Sequence, residues 1–146
     1  SRLGHRAAQV AQERGTLQRA LHQHAAAIHR IDLAAREIQL AQLHDCFPPT
    51  ELLSYEDLGF CEKGSAKEHI QSGTFALGGE LPVNTDGGLK TFGHPTGATG
   101  VRMIYENTLQ LQGRAGPRQV KNASVALSHN LGGAPQTCGI AILGIE

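Results

Sequence analysis

The stretch from Val83 to Gly100, VNTDGGLKTFGHPTGATG, constrains this chain more than any other. Gly87, Gly88, Gly93, Gly97 and Gly100 fall within it, together with Pro95, while its flanks are apolar and well patterned. Glycine adds nothing to a core and loses more backbone entropy on folding than any other residue. A loop of this composition lets backbone approach a ligand or holds a side chain in a tight turn. His94 lies between Gly93 and Pro95. Two readings are open: a solvated histidine in a surface loop, or a backbone fixed so that His94 points into a cleft. Just behind it, Gly97-Ala98-Thr99-Gly100 runs into a helical pattern, whose free N–H groups suit an anion or oxyanion.

The 146 residues suit one modest domain with a real core, α/β in class on the pattern below. Thirteen basic and thirteen acidic side chains leave no net charge, which argues against nucleic acid as a partner. The first thirty residues are nonetheless basic. No apolar run reaches the length of a membrane span, and the N-terminal alanines are too broken by Arg, Gln and His for a signal peptide. Cys46, Cys61 and Cys138 have unrelated spacings and form no disulfide framework, so a reducing compartment is expected. The cytoplasm fits, with peroxisome or mitochondrion as eukaryotic alternatives, although the Gly144-Ile145-Glu146 terminus is not of the Ser-Lys-Leu type. A start at Ser1 without Met is what a fragment or a processed product would show.

Arg6 to Arg30 is rich in Ala, Gln, Arg and Leu and reads as a helix with Val10, Leu17, Leu21 and Ile28 on one stripe. His5, His22, His24 and His29 are read as solvated, because residues two apart face different sides of a helix and no ligand spacing is completed. Glu37 to Leu43 reads as a strand. Pro48 and Pro49 open a helix that Gly59 closes. Ala66 to Gln71 is a short helix and Leu81 to Asn84 a short strand. Val101 to Leu111 reads as a helix, with Val101, Ile104, Tyr105, Thr108 and Leu111 on its apolar face. Ala123 to Asn130 and Thr137 to Leu143 read as a hairpin about a Gly132-Gly133-Ala134-Pro135 turn. This order implies a layered α/β domain with a mixed sheet.

Three candidate loops then sit at element ends: His44-Asp45-Cys46-Phe47, Gly93-His94-Pro95, and His129-Asn130-Leu131-Gly132-Gly133. Each carries one histidine. A thiol beside an imidazole can act as nucleophile or acid/base when its neighbour tunes it. Cys46 can equally be a small buried hydrophobe, as most free cysteines are, and spacing alone leaves both readings open.

These residues carry a resemblance. His44 to Phe47 matches the HDCF motif of the sterol-carrier-protein-2 type of thiolase, also called lipid-transfer-protein thiolases. Thr50 to Gly59 is similar to the helix that follows it there. Asn84 to Gly100 resembles the thiolase N-x-x-G-G…G-H-P-x-G-A-x-G signature, and Ala126 to Gly133, ALSHNLGG, the last-strand motif. The chain from about Ile38 to its end, with a weaker trace back to Ile31, thus resembles the C-terminal half of a thiolase; the domain is expected over residues 31–146, with residues 1–30 a divergent basic segment. The implied fold is an α/β/α layered half with a mixed sheet.

The resemblance implies roles. His94 activates a nucleophilic cysteine and joins an oxyanion hole for the thioester enolate, with Gly93 and Gly97 shaping the substrate-binding backbone. His44 replaces the oxyanion-hole Asn of ordinary thiolases. Cys46 is the acid/base. Asn130, Gly132 and Gly133 form a second oxyanion hole, Asn130 standing where ordinary thiolases have a cysteine. The substrate implied is an acyl-CoA thioester, with no further cofactor and no metal. The nucleophile belongs to an N-terminal thiolase domain that no part of this chain resembles, so the chain alone is expected to show no turnover. The complete enzyme is expected to be a homo-oligomer. Two rivals stand beside this reading. One is a retro-aldolase of the same fold, which cleaves steroid side-chain CoA esters with an OB-fold partner. Tyrosines usually replace both motif histidines there, so His44 and His94 favour the thiolase. The other is a non-catalytic dimerisation or assembly module.

Overall fold

The computed structural model describes residues 35–133 and 137–145. The expected N-terminal helix with its four histidines, and Ala134 and Pro135 of the hairpin turn, lie outside the described residues.

Three strands form one mixed sheet in the order β1-β2-β3. β1 (Leu40–Leu43) runs parallel to β2 (Val125–Leu131), with Leu40 opposite Ala126 and Leu43 opposite His129. β2 returns antiparallel into β3 (Cys138–Gly144), as the hairpin pattern requires, and Gly132 N–H bonds Thr137 O to close it. Alternation along β1 divides the core. Ala41 and Leu43 join Leu127, Tyr55 and Phe75 on one face. Leu40 joins Ala126 and Leu111 on the other. Because both faces are covered, even Gln42 is fully buried, a pattern typical of sheets sandwiched between helices.

α1 (Pro48–Asp57) begins where the sequence places it: two prolines fill the first turn, whose N–H groups would be unpaired anyway. Gly59, at φ 74°, ends it in the left-handed conformation that costs glycine little. Its Tyr55 stacks on Phe75 at 3.9 Å and donates to Glu51 Oε1. α2 (Ala66–Gln71) adds Ala66 to the same core. The expected strand at Leu81 to Asn84 is instead one parallel bridge between Ala41 and Val83. Pro82 offers only its carbonyl, to Ala41 N–H, and Asn84, at φ 49°, turns the chain away. α3 (Gly88–Phe92) follows, then α4 (Thr99–Leu111) on the opposite face of the sheet from α1.

α4 corrects the expected face. Of the predicted stripe only Leu111 is buried, while Val101 (69% exposed), Ile104 and Tyr105 (61%) face outward. The inward side carries Met103, Glu106, Asn107 and Gln110. Asn107 donates to Leu127 O and Ser128 Oγ on β2. Glu106 accepts two 2.9 Å bonds from Arg118, and Gln110 Oε1 accepts Val120 N–H. Buried polar groups are costly only when unpaired. This helix pairs Glu106, Gln110 and the Asn107 amide N–H inward and leaves Val101, Ile104 and Tyr105 outward.

Candidate active site

β1 ends in the loop that carries His44 and Cys46. Asn84 Oδ1 accepts Leu43 N–H at 2.9 Å and so anchors the strand's end. β2 runs past Asn130, and α3 leads through Gly93 into His94. These three arms converge. His44, Cys46, His94, Asn130, Gly132 and Gly133 line one cavity of about 480 Å³, with Lys90 and the exposed Phe47 also on its wall. Gly93 and Gly97 do not line it; Gly93, at φ 78°, sets the turn before His94.

Two imidazoles meet in this cavity. The His44 and His94 rings stand edge to face, 4.7 Å between centroids and 88° between planes. Each is oriented through its Nδ1. The Thr99 hydroxyl donates to Pro95 O, which leaves Thr99 Oγ1 to accept His94 Nδ1–H at 2.7 Å. His44 Nδ1–H donates to Asn130 Oδ1 at 2.8 Å. In the neutral rings the remaining nitrogen, Nε2, is then an acceptor. Burial pushes His44 below the ordinary histidine value; the His94 charge acts the same way, and the Asn130 bond and the Asp45 carboxylate oppose it. His44 is buried, whereas His94 is exposed on one side.

The third histidine of the sequence patterns does not belong here. His129 lies inside β2, fully buried, and not in a loop. Cys138 pairs with Leu131 across the hairpin but does not itself line the cavity, and burial pushes its thiol up to about 11. Burial likewise raises Cys61, and only Cys46 of the three cysteines lines the cavity. The sequence patterns missed Thr99 and Asn130 as partners of the two histidines. A hydroxyl in the first turn of the helix that follows His94 was the available signal for Thr99. Nothing local announces a bond that spans 86 residues between His44 and Asn130. Among the described residues no cluster of three His, Cys, Asp or Glu side chains suits a metal ion. No helix among them is long and apolar enough to cross a membrane.

A loop thiol, two oriented imidazoles and a glycine turn thus meet on one cavity at the edge of a mixed α/β sheet. The chain belongs to the thiolase C-terminal domain-like family, whose model matches residues 4–145. It is 44% identical to the acetyl-CoA acetyltransferase of Methanothermobacter thermautotrophicus over 110 residues, 75% of this chain and 29% of that protein. It is 47% identical to human sterol carrier protein 2 over 100 residues, 68% of this chain and 18% of that one. Among solved structures it is similar to the Ltp2-ChsH2(DUF35) aldolase, with a TM-score of 0.64 and 33% identity, covering 77% of this chain and 28% of that one. The chain thus spans less than a third of the length of the relatives it matches.

Proposed function

We propose that this domain supplies the acid/base and oxyanion-stabilising half of a thiolase active site, acting on a 3-ketoacyl-CoA thioester with a nucleophilic cysteine from an N-terminal thiolase domain. One observation carries the reading: His44, Cys46 and His94 converge on one cavity with both imidazoles fixed through Nδ1. His94 Nε2 takes the proton of the incoming cysteine. The thiolate attacks the 3-keto carbon, and the carbon–carbon bond breaks with its electron pair moving onto the thioester oxygen. Cys46 returns a proton to the carbon that leaves. The imidazolium formed at His94 now donates Nε2–H toward the developing oxyanion, in a position that costs no reorganisation. The Gly132-Gly133 turn lines the same cavity; Gly132 N–H is spent on Thr137 O, so the donor for the second thioester oxygen would be Gly133 N–H.

The outward stripe of α4 supports a covering domain. Val101, Ile104 and Tyr105 are exposed, and Phe92, also exposed, lies under Arg102 within two residues of His94. Apolar side chains grouped beside a site are a docking surface more often than a solvated face. The occupant we assign is the N-terminal domain that carries the nucleophile. The relatives extend well beyond the part this chain matches, which leaves room for it.

Full-length protein should cleave a 3-ketoacyl-CoA only when free CoA is added, and His94→Ala should abolish turnover with the fold retained. Cleavage without added CoA would favour the second reading. The solved aldolase neighbour supports that reading, because a retro-aldol step needs no thiol acceptor. Full turnover by His94→Ala would overturn both.

A further inference from the structure

Asp45 stands between His44 and Cys46, and the chemistry above makes no use of its side chain. It is 2% exposed. Oδ1 accepts Leu89 N–H at 2.8 Å, a buried bond between residues 44 apart. Beneath it lies Gly88, at φ 62°, so close that a β-carbon there would sit 2.7 Å from Oδ1 and closer still to Oδ2. A side chain at position 88 would therefore evict the carboxylate. Leu89 in turn accepts Gly93 N–H at 2.8 Å, and Gly93 is bonded to His94. A ring of contacts closes: His44 to Asp45 through the chain, Asp45 to Leu89, Leu89 to Gly93 and His94, and His94 back to His44 through the ring edge. A second carboxylate, Asp86, accepts Gly88 N–H and pairs with Arg102, so the start of α3 is held locally as well. Among the described contacts, the Asp45–Leu89 bond is what ties α3 directly to the loop of His44 and Cys46.

We propose that Asp45 is a positioning residue, seated in the socket left by Gly88, that holds the His44–Cys46 loop against α3 and so fixes the edge contact between His44 and His94. The inference rests on the thiolase-site reading for its catalytic consequence, but its geometry is testable without turnover. Asparagine keeps an oxygen acceptor for Leu89 N–H at the same reach. Alanine removes the acceptor. Alanine at position 88 fills the socket from the other side. All three belong to one contact, so their effects should not multiply.

The test uses full-length protein carrying Asp45→Ala, Asp45→Asn, Gly88→Ala and the Asp45→Ala/Gly88→Ala pair. Imidazole 15N shifts report the tautomers of His44 and His94, and a ring-to-ring NOE reports their contact. Circular dichroism checks the fold. Asp45→Ala and Gly88→Ala should each erase the NOE and the Nδ1–H signature of His44. The double variant should be no worse than the poorer single, and Asp45→Asn should restore the NOE. In turnover, both alanine variants should lose about 100-fold in kcat with KM nearly unchanged, as expected for misplaced rather than missing groups. An intact NOE in folded Asp45→Ala, or losses that multiply in the double variant, would overturn the proposal. If Asp45→Ala does not fold, Asp45→Glu decides. It keeps the charge and lengthens the reach by one methylene, so it should weaken the NOE, and an unchanged NOE overturns the proposal. The expected NMR changes in a protein without CoA-dependent cleavage would sink the thiolase reading and leave the positioning role standing.

Discussion

Asn130→Asp should invert the protonation behaviour of His44. In the native protein the His44 Nδ1–H bond to Asn130 Oδ1 is neutral and 2.8 Å long, and burial holds the ring below the ordinary histidine value. A carboxylate at position 130 puts a full negative charge against the same proton. With charge centres about 4 Å apart and an effective dielectric near 20, the attraction is about 4 kcal/mol. Taking a carboxylate out of water at this half-buried position consumes part of that, and the remainder raises His44. The other charges facing the ring, Asp45 and His94, are unchanged. Asn130→Ala removes the bond without adding charge and should move His44 the other way, further down.

The sign for stability follows. In the native protein the unfolded chain holds the His44 proton more tightly, so stability falls as pH drops from the unfolded value of about 6.5 through the folded one. In Asn130→Asp the folded ring holds it more tightly. The added stability is then fully present below about pH 6.5 and is lost as pH rises through the raised folded value. Two measurements check this: a 13C-detected titration of the His44 Cε1 proton, assigned with His44→Gln, and urea unfolding on either side of neutrality. A His44 midpoint that fails to rise in Asn130→Asp, or that moves alike in the Asp and Ala variants, refutes the reasoning.

Thr99→Val keeps the shape of a buried residue but leaves His94 Nδ1 without its acceptor; kcat should drop by up to about 100-fold, the share of a well-placed general base, with the pH–rate profile displaced and the melting temperature nearly unchanged. Glu106→Ala strands Arg118 and removes an acceptor from Gln110, and should destabilise by about 3 kcal/mol in urea unfolding, the lower end for a broken buried pair because Arg118 is partly exposed. Burial alone would raise the Glu106 carboxyl, but Arg118 and Gln110 hold it below the usual range, so its contribution is present above about pH 4.5 and is lost as pH falls through the folded value; Glu106→Gln should flatten that acid limb. Tyr105→Lys, on the exposed stripe, should change the stability of this chain by less than about 0.5 kcal/mol, yet loosen the full-length protein to proteolysis between its domains.

Much of the fold is legible because its signals are local. Pro48-Pro49 and Gly59 bracket α1, and the alternation on either side of Gly132-Gly133 gives the hairpin. The outward face of α4 is not legible by the same rule. A periodic apolar stripe marks the buried side only when the helix is complete in its surroundings. Here Asn107, Glu106 and Gln110 find partners inside, and nothing in the order of residues announces those partners in advance. The strand expected at Leu81 to Asn84 shrinks to a bridge for a related reason: the left-handed turn at Asn84 follows from its bond to Leu43, 41 residues away. The motif residues His44, Cys46 and His94 were visible as types in glycine-rich or loop contexts. The supporting bonds of Thr99, Asn130 and Asp45 were not, although Asn130 and Asp45 lie in the motifs, because a support is defined by what it touches.

The supports also set an order of events under the proposed function. Both imidazoles spend Nδ1–H on a neutral acceptor, so in their neutral state both Nε2 atoms accept and neither donates. An oxyanion needs donors. The pair therefore stabilises an enolate only after one ring has taken a proton, and at 4.7 Å a charge on one ring disfavours a second charge on the other. One proton thus serves two rings, and the incoming thiol is its source. Activation of the nucleophile and creation of the oxyanion donor become a single step. With both rings neutral the site accepts rather than donates, which favours a thiol over an anion as its first visitor. The exposed side of His94 is where that thiol would arrive, and the apolar stripe of α4 beside it is what would bring the domain that carries it.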